Sequence, residues 1–225
     1  VAGKRTLLNF EAVDYHCEIW VNGASVGKHQ GGSTPFSLDI TNAVQQGNNE
    51  IIVRVEDETG GWQLRGKQVL ENKGIWYTRV SGIWQTVWLE QVSGTYIEDL
   101  ALNTDASSGT VKVAAKINGP AEGATLHVKV KDGETIVADV KGAAAGLSLQ
   151  VASPKLWTPD TPHLYALDIV LMDGAGTVLD RVSARLQAEY GDAGKADVFD
   201  HLRSCLPGVA SRLDYAQVGA ALQMN

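Results

Sequence analysis

Cysteine is nearly absent from this chain of 225 residues: there are two, Cys17 and Cys205, far apart in sequence. Thiols at that separation build neither a disulfide framework nor a thiolate metal site, so both are expected to be unpaired. Long apolar runs are missing as well. The apolar stretches are short and interrupted, well under the roughly 18 residues that a membrane-spanning helix requires. No segment resembles a signal peptide, and the bacterial cytoplasm is the expected location. Positive charge is in deficit: 19 Lys and Arg stand against 26 Asp and Glu, a formal charge of −7. That balance argues against a nucleic-acid surface or an anionic membrane as partner. The five histidines are scattered without His-x3-His spacing, and no cluster of oxygen ligands suits calcium. No metal and no cofactor are expected.

What is present is short alternating segments punctuated by turn residues. Cys17-Glu-Ile-Trp-Val21 alternates and stops at Asn22-Gly23, a strong hairpin signal, and Ser25–His29 returns. Gly31-Gly32 and Thr34-Pro35 mark a bend, Phe36–Ile40 alternates again, and Thr41 can cap one short helical turn through Val44. Glu50–Glu56 and a stretch from about Thr78 to Val92 complete a first set of strands. Within that last stretch Trp84, Thr86 and Trp88 share one face and Ile83, Gln85 and Val87 the other, which predicts a central strand with its tryptophans in the core or at a domain contact.

Residues 94–182 are also all-β but richer in Ala, Val and Gly. Seven strands are predicted: Tyr96–Leu102, Thr110–Ile117, Thr125–Val130, Thr135–Val140, Leu147–Val151, Tyr165–Met172 and Val178–Val182. Seven short strands with turn signals between them fit an immunoglobulin-like sandwich. The prolines of 153–162 cannot donate to a ladder, so that segment is read as a rigid connection. From about Ser183 the pattern turns helical, over Ala184–Tyr190, Lys195–Cys205 and Asp214–Gln223.

The segments NFEAVDYHCEIWVNGASVGKHQGGSTPFSLDIT (9–41), GNNEIIVRVED (47–57), RGKQ (65–68) and GIWYTRVSGIWQTVWLE (74–90) resemble the N-terminal sugar-binding domain of glycoside hydrolase family 2. PKLWTPDTPHLYALDIVL (154–171) is similar to that family's second domain. The family includes β-galactosidases, β-glucuronidases and β-mannosidases, in which a jelly roll and an immunoglobulin-like sandwich precede a catalytic (β/α)8 barrel. The resemblance implies an all-β chain: an incomplete jelly-roll sandwich over 1–93, an immunoglobulin-like sandwich over 94–182, and a short helical tail over 183–225. The tail, RLQAEYGDAGKADVFDHLRSCLPG with DYAQVGAALQMN, resembles part of an extracytoplasmic-function RNA polymerase sigma factor, stopping before the recognition helix that would read bases. Such a join points to a recombined or environmental-clone gene.

In the family both catalytic glutamates lie on the barrel, and no barrel pattern follows residue 182. The resemblance therefore implies a truncated, non-catalytic protein that acts at most as a carbohydrate-binding module, with a purely structural relic as a further reading. Candidate sugar contacts are Trp62, Arg65, Lys67 and Gln68 on the loop matching the family's PRGKQ segment, and His29 beside the glycine-rich bend. The alternative is a hydrolase with an unconventional carboxylate site drawn from Asp14, Glu56, Asp57 and Glu71, since glycoside cleavage needs two carboxyls about 5–10 Å apart. Asn49-Glu50 copies the barrel's dipeptide by letters only and is rejected. Open sheet edges in an incomplete sandwich would favour a homo-oligomer.

Overall fold

Strict alternation along Cys17–Val21 sends Cys17, Ile19 and Val21 inward and leaves Glu18 and Trp20 on the other side of the strand. The same rule builds most of the molecule. A computed structural model describes residues 3–188 and 202–203, in which the regular elements are all strands. They fall into two compact units, the first reaching to Gln91 and the second starting at Val92.

In the first unit, β1 (Lys4–Phe10), β2 (Val13–Asp14), β3 (His16–Val21), β4 (Ala24–Gln30), β5 (Phe36–Asp39) and β6 (Ile51–Glu56) lead to three short pieces. These are β7 (Gln68–Val69), β8 (Tyr77–Thr78) and β9 (Gly82–Ile83); β10 (Val87–Ser93) follows. One sheet runs β10-β1-β5 and another β4-β3-β6, while β2 pairs with β9 and β7 runs parallel to β8. Leu8 and Phe10 of β1 close over Ile19 and Val21 of β3, with Val13 and Ile40 beside them. Burying side chains of this size stabilises the fold by about 1.5–3 kcal/mol each. The hairpin between β3 and β4 turns at Asn22 (φ 52°) and Gly23 (φ 81°), the two left-handed residues that a type I′ turn requires.

In the second unit, β11 (Tyr96–Asp105), β12 (Thr110–Asn118) and β15 (Leu147–Gln150) form one sheet. Strands β13 (Thr125–Asp132), β14 (Thr135–Ala143), β16 (Leu164–Met172), β17 (Val178–Gln187) and β18 (Leu202–Arg203) form the other, in the order β14-β13-β16-β17-β18. Leu126, Val128, Leu167, Ile169 and Val182 from the larger sheet meet Ile97, Val111, Val113 and Leu149 from the smaller. Two facing antiparallel sheets with interdigitated inner faces make this unit the expected immunoglobulin-like sandwich; the first unit is the expected jelly-roll type.

Two local expectations fail. The stretch from Thr78 to Val92 is not one central strand: it breaks into β8, β9 and β10, and β10 ends its sheet with β1 as its neighbour. Gly82, at φ 112°, interrupts the run, and Trp76 and Trp84 emerge exposed rather than buried. The helix expected from Ala184 is, as far as Gln187, a continuation of β17 paired to β16 from Leu164↔Gln187 onward. There Ala184 and Leu186 fill inward positions, and period-2 burial outweighs the helix propensity of Ala, Leu and Gln. The remainder of the expected helical tail lies outside the described residues, apart from the short β18.

Candidate functional site

Two carboxylates are brought together in the first unit by the ends of short strands. β2 pairs with β9 through Asp14↔Gly82, and Asp57 follows directly on β6. Asp14 lies against the Gly31–Pro35 bend so closely that a Cβ on Gly32 would run into its carboxylate. Its Oδ1 is buried and has no hydrogen-bond partner among the described residues. Burial, and then the negative charge of Asp57, hold the Asp14 pKa above its ordinary value.

Asp57 is in the opposite condition. Its Oδ1 accepts the Thr59 amide at 2.8 Å and the Gln63 side-chain amide at 2.5 Å, and its Oδ2 accepts the Ser81 hydroxyl at 3.1 Å. The buried Gln63 returns through its Oε1 to the Gly60 amide, and Arg65 donates to the Thr59 carbonyl at 3.0 Å. An Asx-type turn of this kind ties residues 57–65 into a fixed loop.

That loop presents Trp62, which leans edge-on against Tyr15 with ring centroids 5.3 Å apart and also approaches His16. The indole is held on one side yet remains 59% exposed. A second indole joins from β9: Trp84 donates its Nε1 proton to the Gly32 carbonyl at 2.7 Å and is 57% exposed. Each tryptophan is thus anchored to a neighbour of Asp14, Trp62 through Tyr15 and Trp84 through Gly32.

The other residues singled out from sequence are placed as follows. His29 stacks on Phe36 at 4.1 Å, and Phe36 stacks on Phe10. Its Nε2 lies 3.2 Å from the Gly31 carbonyl and 3.1 Å from the Thr34 hydroxyl, so it braces the bend under Gly32. The Gln68 side-chain oxygen accepts the Val80 amide at 2.6 Å, and the Lys67 carbonyl accepts the Tyr77 amide at 2.9 Å, while Lys67 itself is exposed. Glu56 pairs with Arg54 on the exposed side of β6, and Glu71 sits in the exposed stretch 71–80. Only Asp14 and Asp57 of the four carboxylates converge. Sequence reasoning missed Trp84 and Tyr15 as site residues. The available signal was the indole N–H, a polar handle that a fully apolar core position would leave without a partner.

Among the described residues no group of three His, Cys, Asp or Glu side chains could hold a metal ion. Nor is any described helix long and apolar enough to cross a membrane.

Residues 1–93 match the family model described as glycosyl hydrolases family 2, sugar binding domain, and residues 95–186 match that of glycosyl hydrolases family 2. A β-galactosidase of Thermoanaerobacter pseudethanolicus is 29% identical over 209 residues, 86% of this chain and 27% of that protein. A β-glucuronidase of Paenibacillus borealis is 29% identical over 195 residues, 80% of this chain and 32% of that protein. The solved β-D-glucuronidase of Dictyoglomus thermophilum is 28% identical with a TM-score of 0.65, covering 83% of this chain and 34% of its own. The chain therefore spans about a quarter to a third of the length of these relatives. Two adjoining domain matches that together take in most of the sequence lead to one conclusion: the chain belongs to glycosyl hydrolase family 2.

Proposed function

We propose that this chain supplies the non-catalytic, carbohydrate-contacting β-domains of a family 2 glycosidase, with a β-linked galactoside or glucuronide as the class of sugar met. The observation that carries this reading is Trp62, fixed edge-on against Tyr15 while its indole stays largely open to solvent. An apolar ring left exposed but held still can stack on the C–H face of a pyranose at little cost in side-chain entropy. Trp84 offers a second ring, and Lys67 an exposed ammonium for hydroxyl or carboxylate groups. Arg65 and Gln68 act one step back, since both hold the loop backbone.

Isothermal titration against methyl β-galactoside, methyl β-glucuronide and β-linked oligosaccharides tests the reading. Heat is expected with at least one class, and Trp62→Ala weakens that binding about three- to tenfold, the range of one lost aromatic contact. No heat from any of them at millimolar ligand would leave a scaffold without a sugar site.

A second reading, hydrolysis by this unit itself, is favoured by the unequal pair Asp14 and Asp57, one raised in pKa beside the other. Against it, Asp14 Oδ1 is covered and both oxygens of Asp57 already accept hydrogen bonds, three in all, which disfavours Asp57 as nucleophile or base at a scissile bond. Purified protein is expected to release no p-nitrophenol from aryl β-glycosides; turnover that disappears in Asp14→Asn or Asp57→Asn would establish the second reading instead.

A further inference from the structure

The outer face of the larger sheet in the second unit gathers cations in a chain whose overall charge is −7. Along β13, Leu126, Val128 and Val130 are buried, which puts His127, Lys129 and Lys131 on the opposite face. Residues directly opposite across an antiparallel ladder share a face. Lys129 stands opposite Asp139 of β14 and Asp168 of β16, and His127 stands opposite Lys141 and Val170. Farther across, Val170 faces Arg181 of β17 and Ala166 faces Arg185. Glu134, in the turn between β13 and β14, acts on Lys131 from the edge, and the strands themselves place Lys129, Lys131, Lys141, Arg181 and Arg185 on one surface with two carboxylates, Asp139 and Asp168.

Those two are already engaged. Asp139 lies 2.5 Å from His127 and 3.8 Å from Lys129, and Asp168 pairs with Lys131. Lys141, Arg181 and Arg185 are exposed and have no ion pair among the described residues. Strands lie about 4.8 Å apart and alternate residues about 6.8 Å apart, so the charges form a flat lattice rather than a pocket. No Phe, Tyr or Trp stands on this face of the four strands and its one imidazole, His127, is tied to Asp139, so the face lacks the stacking platform that single-stranded nucleic acid uses.

We propose that this face binds a polyanionic glycan, a polysaccharide chain carrying carboxylate or sulfate groups at regular intervals. The choice of a glycan over another polyanion rests on the carbohydrate reading of the first unit; the charge pattern itself does not. Titration of the full chain with polygalacturonate, dextran sulfate, neutral dextran and a short DNA duplex provides the test. The carboxylated or the sulfated polymer, or both, are expected to bind, and the stronger of the two names the anion. Affinity is expected to fall steeply between about 50 and about 200 mM salt, as counterion release requires. Neutral dextran is expected not to bind.

Arg181→Glu with Arg185→Glu is expected to lose about tenfold or more in affinity, one decade of binding constant. Lys112→Glu on β12, in the other sheet, changes nothing. Trp62→Ala leaves polyanion binding intact even where it abolishes binding of small β-glycosides, so the two sites fail separately. Should the double glutamate variant lose its far-UV circular dichroism, Arg181→Ser with Arg185→Ser removes the charges more gently. Binding unchanged in a folded double variant, no binding to either acidic polymer at the lowest salt, or tighter binding to DNA than to both polymers would each overturn the proposal.

Discussion

Asp14 and Asp57 are neighbours with unlike surroundings, and the difference has a measurable sign. A carboxyl whose pKa is raised above 3.8 on folding holds its proton more tightly in the native state than in the unfolded chain. Its contribution to stability is complete below that value and is lost as pH rises through the folded pKa. Asp14→Asn is neutral throughout, so relative to the parent it is expected to gain stability on going from about pH 3 to about pH 7, read as urea midpoints. A difference constant across that range would mean that Asp14 is not strained by its burial. The sequence left a meeting of Asp14, Glu56 and Asp57 open. It could not show that β6 ends one residue before Asp57, which turns Glu56 outward and lets Asp57 fold back onto Thr59, Gln63 and Ser81. That outcome depends on a loop closed by side-chain acceptors, for which the local sequence carries no periodic signal.

At the scale of elements, the hairpin Val21–Ala24 shows how far local rules reach. Asn22-Gly23 announced the turn, but Asn22 does more than turn. Its amide donates to the Ala43 carbonyl at 2.9 Å and to Asn49 Oδ1 at 2.8 Å, and its Oδ1 accepts the Glu50 amide at 2.9 Å. One side chain therefore joins the hairpin to the Thr41 turn and to the start of β6. Asn22→Ala is expected to lower stability by about 2 kcal/mol, from lost hydrogen bonds and a left-handed φ that Ala tolerates poorly. Asn22→Asp, which keeps only the acceptor, falls between; equal stability of all three would show the links to be idle. The seven predicted strands of the second unit were legible because most of them alternate over a buried face, as Leu126, Val128 and Val130 do. The aromatic run at 74–90 was misread for the same reason that it attracted attention: apolar residues on both faces suggest burial, whereas here Gly82 divides the run and leaves Trp76 and Trp84 outside.

For the whole molecule, the two separate cores make an uneven distribution of tryptophan informative. Trp20, Trp62, Trp76, Trp84 and Trp88 belong to the first unit and Trp157 alone to the second. Fluorescence therefore reports chiefly on the first unit, while circular dichroism reports on strands in both. Phe10→Ala, which empties a site 1% exposed, is expected to cost about 3–5 kcal/mol and to move the fluorescence transition. Ile169→Ala in the second core is expected to cost about 2–5 kcal/mol and to move the dichroism transition while fluorescence lags. Coincident shifts in both probes for both variants would show instead that the units unfold as one.

Cys17 gives the first unit an internal clock. The thiol sits on β3, 5% exposed, and burial pushes its pKa up to about 11, against a smaller pull from the His29 backbone. Alkylating reagents attack only the thiolate, so they find almost none of it while the strands stay closed. In a Cys205→Ser background, iodoacetamide should consume Cys17 at the pace of opening of β3 from its neighbours and no faster. Breathing of the first unit could then be timed without any label added to the protein.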